Sequence, residues 1–268
     1  MHGYITYAYG AEIWAVDPGH PANAISMGPS NGQTPIAWSP DGNRLLLADR
    51  RGSAAPGIEW DLCVMNADGS EKPLTSDGRS GEGSFSPDGT KVVFARSDDG
   101  LYVVDAEGGT PRLIVKSHAG WYVGSPAWSP DGSRIAYSVY VEGPNGFIWT
   151  VNPDGSDPRQ LVDLCQCGSL AWSPDGSMLA FHSRRDNPVG RAVSQQIYTV
   201  RADGSGLHPI NDDGFQPAWS PDGSRIAYLL GYGFSEVSLS TMAVDGSDVR
   251  QVEGVFVMPA SLAWNPVH

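Results

Sequence analysis

One short motif recurs along the chain at a nearly constant interval. The hexapeptide Ala-Trp-Ser-Pro-Asp-Gly occurs four times, a fifth copy has Phe in place of Trp, and a sixth reads Ala-Trp-Asn-Pro near the C-terminus. The aromatic residues of the six copies are Trp38, Phe85, Trp128, Trp172, Trp219 and Trp264. They are separated by 47, 43, 44, 47 and 45 residues. Repeats of this length with strand-like content are typical of the four-stranded blades of β-propellers.

The strand signals within each repeat agree with this interpretation. Each Pro-Asp-Gly turn precedes an apolar run such as residues 45–47, and two more strand-like segments follow, separated by turns rich in Asp and Gly. Residues 4–26 contain second, third and fourth strands without a first, whereas residues 262–266 resemble a first strand alone. We therefore predict an all-β, six-bladed propeller with four antiparallel strands per blade, closed by the C-terminal strand in the N-terminal blade. A single domain is expected to span residues 1–268.

The repeated motif, its apolar strand and the Asn-x-Asp-Gly-Ser turns together resemble the TolB-like propeller repeat, a WD40-like repeat also called PD40. The resemblance covers nearly the whole chain. It implies a scaffold that binds a protein or peptide and a location outside the cytoplasm, in the periplasm or secreted. Similar repeats form the propellers of prolyl-oligopeptidase-type peptidases and tricorn-like proteases, so the resemblance indicates the fold more closely than the function.

Charge and hydropathy exclude two classes of partner. The formal net charge is −13, which opposes binding to nucleic acid or to anionic membranes. No apolar stretch approaches the roughly 18 residues of a membrane-spanning helix, and residues 1–3 lead directly into a strand-like pattern without the regions of a signal peptide. We expect a monomer that neither binds nucleic acid nor inserts into a membrane.

The predicted blades give the propeller two different faces. The Pro-Asp-Gly and Asp-Gly-Ser turns share one face, here called the turn face, and the connections of irregular length lie on the other, here called the loop face. Loops that interrupt a repeat commonly carry function, so we predict binding through the loop face and the central channel. The candidate binding residues are Trp60, His118, Trp121, Tyr122, Tyr140, His182, Arg184, Arg185, Tyr232 and Phe234. In the structural alternative, the aromatic residues cover the blade cores and the arginines pair with Asp49, Asp61 and Asp186.

Two residue groups raise the question of a metal. The aspartates of the turn face could form a ring that binds calcium: Asp41, Asp88, Asp131, Asp175 and Asp222. The sequence lacks the Asp-rich loop with a closing Glu that typical calcium sites use. We therefore expect these aspartates to have a structural role. Zinc held by Cys165 and Cys167 with His118 or His182 is a second alternative, although one residue between cysteines is not the usual spacing. We predict buried thiols and no cofactor. With three cysteines in total, at least one is free or pairs between chains.

No segment has the sequence context of a catalytic motif. Residues 28–32 match the G-x-S-x-G pattern of a hydrolase nucleophile, but that pattern requires a helix after it and the chain continues into the Trp38 strand. The predicted function is therefore non-catalytic recognition of a protein or peptide. The alternatives are a hydrolase or lyase at the channel mouth, with or without a metal, and a carbohydrate-binding propeller that stacks sugars on Trp60 or Trp121. The repeated Trp128, Trp172 and Trp219 are expected to be buried between blades.

Overall fold

The computed structural model describes residues 3–50, 60–96, 98–141, 146–163, 165–185, 195–231, 237–256 and 262–266. Within these ranges the strands are, in chain order, β1 (Ile5–Tyr9), β2 (Glu12–Val16), β3 (Ile25–Pro29), β4 (Gln33–Trp38), β5 (Arg44–Asp49), β6 (Asp61–Asn66), β7 (Glu71–Pro73), β8 (Ser80–Phe85), β9 (Lys91–Arg96), β10 (Gly100–Asp105), β11 (Arg112–Lys116), β12 (Trp121–Trp128), β13 (Ile135–Val141), β14 (Gly146–Val151), β15 (Arg159–Val162), β16 (Cys167–Trp172), β17 (Met178–Ser183), β18 (Gln196–Arg201), β19 (His208–Pro209), β20 (Phe215–Trp219), β21 (Arg225–Gly231), β22 (Val237–Ala243), β23 (Arg250–Phe256) and β24 (Ala263–Trp264). A short 3₁₀ turn covers Pro21–Asn23. In the described part of the chain, no helix has the length and apolar character needed to cross a membrane.

The strands form six four-stranded sheets arranged as the blades of a propeller. Blade 1 has the order β24-β1-β2-β3, and blades 2 to 6 are β4–β7, β8–β11, β12–β15, β16–β19 and β20–β23. The pairs within a blade are antiparallel, and the first strands of neighbouring blades contact each other around a central channel. The all-β, six-bladed propeller with four antiparallel strands per blade is confirmed.

The C-terminal strand closes the ring in blade 1. Ile5 of β1 lies opposite Trp264 of β24 in antiparallel register. The Asn265 N–H donates to the Tyr4 carbonyl at 2.9 Å, and the Trp264 indole donates to the Gly3 carbonyl at 2.8 Å. These bonds confirm that the last strand completes the N-terminal blade and so removes two open sheet edges.

One buried hydroxyl connects three parts of the closure. Thr6 Oγ1 donates to the Ala263 carbonyl at 3.0 Å and accepts from the Trp38 indole at 3.1 Å. Thr6 itself is fully buried. The first strand, the last strand and blade 2 therefore meet at a single side chain that water does not reach.

The apolar core lies between blades rather than within them. One cluster, for example, joins Val93 of blade 3 to Ile135 of blade 4. The repeated indoles reinforce these contacts, because Trp172 and Trp219 donate to main-chain carbonyls of the preceding blade, each at 3.1 Å. Trp219 is buried as predicted, but Trp128 and Trp172 are only half-buried. The prediction of burial was wrong for these two, whose rings line the channel; Trp219 lines it as well but is covered more completely.

The Pro-Asp-Gly turns are self-contained units on the turn face. In each of the five turns, the aspartate accepts from the serine hydroxyl two residues before it at 2.5–2.6 Å. These bonds lower the pKa of Asp131 and bring that of Asp88 to about 2. Arg134 reaches from one such turn to Asp157 in the turn between β14 and β15, at 3.0 Å, which shows that both sets of turns share one face.

A matched pair of isosteric substitutions tests the closure. Thr6→Val leaves the Ala263 carbonyl and the Trp38 indole without their partner, so we expect the free energy of unfolding to fall by about 1–3 kcal/mol. Thr199 is equally buried, but its hydroxyl oxygen has no hydrogen-bond partner among the described residues. Thr199→Val should therefore be neutral or stabilising. Urea unfolding of both variants measures the difference, and equal losses would contradict the proposed role of Thr6.

Candidate binding site at the central channel

The inner strands enclose a central channel of about 540 Å³. Its turn-face half is lined by the six repeated aromatic residues and by a proline two residues after each, Pro40, Pro87, Pro130, Pro174, Pro221 and Pro266. Toward the loop face, the wall residues are Glu82, Ser125, Ser169 and Gln216. Each of these four precedes a repeated aromatic by three residues, which separates the two levels by about 10 Å along a strand. The channel therefore has an aromatic end and a polar end.

The four polar wall residues, together with Tyr140 and His182, are called the polar belt, and hydrogen bonds connect three of the four from blade to blade. The Ser125 N–H of blade 4 donates to the Glu82 carboxylate of blade 3. The Ser169 N–H of blade 5 donates to the Ser125 hydroxyl at 3.0 Å. These bonds fix the positions of the belt side chains relative to one another.

The backbone of the belt adopts an uncommon conformation in three successive blades. Ser125, Ser169 and Gln216 have φ angles of 47°, 52° and 54°, in the left-handed region that non-glycine residues seldom occupy. Each one coincides with an irregularity in the pairing of its strand with the next. Bulges and strained residues are concentrated at functional sites in proteins. Their recurrence at one level of the channel marks the belt as a candidate site.

Tyr140 and His182 support the wall from behind, and both are half-buried. They converge on Gly168, where a Cβ atom would lie 2.7 Å from the Tyr140 hydroxyl and 3.2 Å from His182 Cε1. Only glycine leaves room for both rings. The Gln216 N–H also donates a long, weak hydrogen bond to His182 Nδ1 at 3.5 Å. The structure thus brings these two predicted residues together with the channel wall.

The protein environment shifts the pKa values of three belt residues. Desolvation raises the pKa of Glu82, although the side chain is exposed to the channel, and its hydrogen bonds to Ser125 oppose the shift. Burial raises the pKa of Tyr140, and the Glu82 charge adds to this effect. Burial, together with the nearby Arg184 charge, lowers the pKa of His182 to about 4. His182 is therefore neutral at pH 7.

Four aromatic residues at the loop-face end of the inner strand β12 are called the mouth patch, with Trp121 on one face of the blade and Tyr122 on the other: His118, Trp121, Tyr122 and Phe147. Trp121 and Tyr122 are 39% and 48% exposed. They were predicted in a loop but lie in β12, whose eight residues exceed the six of β4, β8 and β16. Trp121 stacks on Phe147 with a centroid distance of 6.4 Å, and His118 packs edge-on against Trp121 at 5.6 Å. Tyr122 lies opposite Tyr140 in the sheet, which joins the patch to the belt.

Three further predicted residues, Trp60, Arg184 and Arg185, are described by the structure. Trp60 packs against Gly81 of the channel wall. The Cζ atom of Arg50 lies 5.1 Å from the centroid of the Trp60 ring. Arg184 is exposed, and Arg185 pairs with Asp163 at 3.5 Å. The pairing predicted between the arginines and Asp186 cannot be compared, because Asp186, Tyr232 and Phe234 lie outside the described residues.

Glu82, Ser125, Ser169 and Gln216 were missed by the sequence interpretation. The sequence does contain a signal for them. In the first five repeats, the residue three positions before the aromatic is Pro35, Glu82, Ser125, Ser169 and Gln216, whereas the motif that follows stays nearly constant. A varying polar position on the innermost strand of a propeller faces the channel. This contrast within the repeat identifies the belt.

The cysteines differ from the prediction. Cys165 and Cys167 form a disulfide, and the expectation of two thiols was wrong; their Cα atoms are 5.1 Å apart, within the range that a disulfide bridges. The pair consequently offers no thiolate to zinc. Cys63 is buried and takes no part in this disulfide.

The structure also bears on two other motifs. Among the described residues, Asp49, Cys63 and Glu71 form one group close enough to share a metal ion. The Gln33 amide donates to Glu71 at 3.1 Å, with longer contacts to the other two, and none of the three lines the channel. Ser30 of the G-x-S-x-G segment is buried in a turn between β3 and β4, without a following helix, which agrees with its interpretation as a turn.

Comparison with known proteins identifies the family. Residues 101–266 match the family described as the TolB beta propeller domain. The chain belongs to the TolB β-propeller family. An uncharacterized protein of Agrobacterium fabrum is 28% identical over 82% of this chain and 75% of that protein. The Tol-Pal system protein TolB of Thioalkalivibrio sulfidiphilus is 39% identical over 24% of this chain, a segment that spans 14% of that protein.

Solved structures of the TolB propeller family and of an enzyme share the fold. A protein assigned as TolB from Agrobacterium tumefaciens has a TM-score of 0.75 at 22% identity, covering 100% of this chain and 99% of that one. An oligogalacturonate lyase in complex with manganese has a TM-score of 0.60 at 15% identity, covering 94% of this chain and 72% of the lyase. At these identities the likeness shows the fold alone, and function must be argued from the residues of this chain.

The neutral state of His182 predicts a specific pH dependence. Its folded pKa of about 4 lies below the ordinary 6.5, so the unfolded chain binds the proton first as the pH falls. The stability contribution is present above pH 6.5 and is lost as the pH falls toward 4, by about 2 kcal/mol between pH 7 and pH 5. His182→Asn should remove this difference in urea unfolding. An NMR titration midpoint of His182 near 6.5 would contradict the burial of the neutral ring.

Proposed function

We propose that the chain is a non-catalytic binding module that recognises a protein or peptide through the mouth patch and the channel below it. One observation carries the proposal: Trp121 and Tyr122, at the loop-face end of the inner strand β12, are 39% and 48% exposed. Trp and Tyr are enriched among the residues that contribute most to binding.

The geometry fits an extended segment better than a folded surface alone. β12 continues beyond the other inner strands and holds the mouth patch directly above the polar belt. A channel of about 540 Å³ is comparable in size to pockets for small ligands. A partner that covers the patch can therefore place one or two side chains in the channel.

The family supports a protein partner. One relative is named as a component of the Tol-Pal system, and the fold of this chain is that of the TolB propeller. The location outside the cytoplasm and the monomeric state stay predictions from the sequence.

The alternative function is that of an enzyme. The shifted pKa values of Glu82, Tyr140 and His182 favour it, because such shifts are common at catalytic sites. The similar lyase structure contains manganese. Among the described residues of this chain, Glu82 is the only acidic side chain that lines the channel, and the one group of three candidate ligands lies elsewhere. The channel residues do not fit a manganese site, and we derive no lyase step.

Peptide display on the immobilised protein tests the proposal. Peptides selected on the wild-type protein should lose at least about tenfold in affinity with Trp121→Ala, the loss typical of a central interface residue. The matched control is Asp131→Asn on the turn face, which should change the Kd less than about twofold.

Two results would contradict the proposed site. A loss confined to Asp131→Asn would move the site to the turn face. Selection of no peptide, with binding of oligosaccharides that depends on Trp121, would instead establish a carbohydrate-binding propeller.

A further inference from the structure

Glu82 is an unpaired acid in the channel. Among the described residues that line the channel there is no lysine, arginine or histidine, and no other acid. The hydrogen bonds that Glu82 accepts from the described residues come from Ser125, whose N–H donates to Oε2 and whose side chain also contacts the carboxylate. Its carboxylate therefore lines the channel without a cation among the described wall residues to balance its charge.

A second acceptor lies in the same belt. The side-chain oxygen Oε1 of Gln216 is buried and accepts no hydrogen bond from any described residue. A buried acceptor without a donor destabilises the folded state, and rotation of the Gln216 amide into the channel, where a ligand supplies an N–H group, removes this cost. The belt thus combines a negative charge with an unfilled acceptor, which together favour a ligand that carries positive charge and several donors.

The surroundings favour an organic cation over a metal ion. Divalent cations such as calcium bind six to eight oxygens, commonly with several carboxylates, and the described wall of the channel offers one carboxylate. The aromatic end of the channel begins about 10 Å from Glu82 along the strand, so rings are near enough to contact the hydrocarbon stem of a long side chain. Lysine and arginine also interact favourably with aromatic faces.

We propose that the polar belt binds a lysine or arginine side chain of the partner, with Glu82 as the residue that holds its charge. This inference rests on the proposed function and names the chemistry of the partner segment. The formal net charge of −13 attracts such a segment from solution. The mouth patch then packs against residues that flank the basic side chain.

Two short peptides provide the test. The first carries a central arginine with blocked termini, and the second carries citrulline, which has nearly the same shape without the charge. Calorimetry at low salt and pH 7 should show at least about tenfold tighter binding of the arginine peptide by the wild-type protein, the effect expected for a charge-assisted hydrogen bond. Glu82→Gln should abolish this preference, and Glu82→Asp should retain it.

Glu107→Gln is the control for net charge, because Glu107 is exposed and pairs with Lys72 away from the channel. It should leave the preference intact. Equal affinity of the wild-type protein for both peptides, or a preference that survives in a folded Glu82→Gln variant, would overturn the inference. Displacement of the arginine peptide by calcium at one ion per chain would overturn it in favour of a metal site.

The experiments distinguish failure of the proposed binding site from failure of the proposed role of Glu82. If Trp121→Ala weakens the displayed peptides while arginine and citrulline bind equally, the mouth patch is the site and the role of Glu82 is wrong. If the arginine preference depends on Glu82 but Trp121→Ala has no effect, the channel binds cations and the mouth patch does not contribute.

Discussion

The pairing of β24 with β1 is the interaction on which the rest of this structure depends. It involves two residues of each strand, Ile5 with Trp264 and Thr6 with Ala263. Each blade contacts its neighbours, so the width of the channel is set only when the last blade meets the first. The C-terminal strand also supplies Trp264 to the channel wall. A short pairing in blade 1 thereby determines the geometry of a site built mainly in blades 3 to 6.

In the first strand of each blade, residues that maintain the fold and residues of the candidate site lie only a few positions apart. The aromatic residue and the Pro-Asp-Gly turn repeat because each must pack against the next blade and reverse the chain in the same way. Three residues before the aromatic residue, a bulge directs the chain toward the channel in blades 4 to 6. The residue at this position differs from blade to blade. Gly124 and Gly168 leave room behind the bulge, since a Cβ atom would lie 2.9 Å from Glu82 and 2.7 Å from Tyr140 respectively.

Blade number, strand order and ring closure could be predicted because they follow from local signals, namely the spacing of the motif and its turn residues. The polar belt could not be predicted, because serine and glutamine have no preference for the left-handed backbone conformation that Ser125, Ser169 and Gln216 adopt. Tyr140 and His182 were predicted as candidates, but their convergence on Gly168 requires the packing of two blades. Residues 117–125 were predicted as an irregular connection between blades, whereas residues 121–128 form β12.

The central claim is that closure in blade 1 holds the channel wall in place around the whole ring. Hydrogen exchange of a variant that lacks residues 262–268 tests it most directly. We expect the Ser169 N–H, which donates to the Ser125 hydroxyl in the wild-type protein, to lose its protection together with the amides of β1. Loss of protection confined to β1, with Ser169 still protected, would contradict the claim.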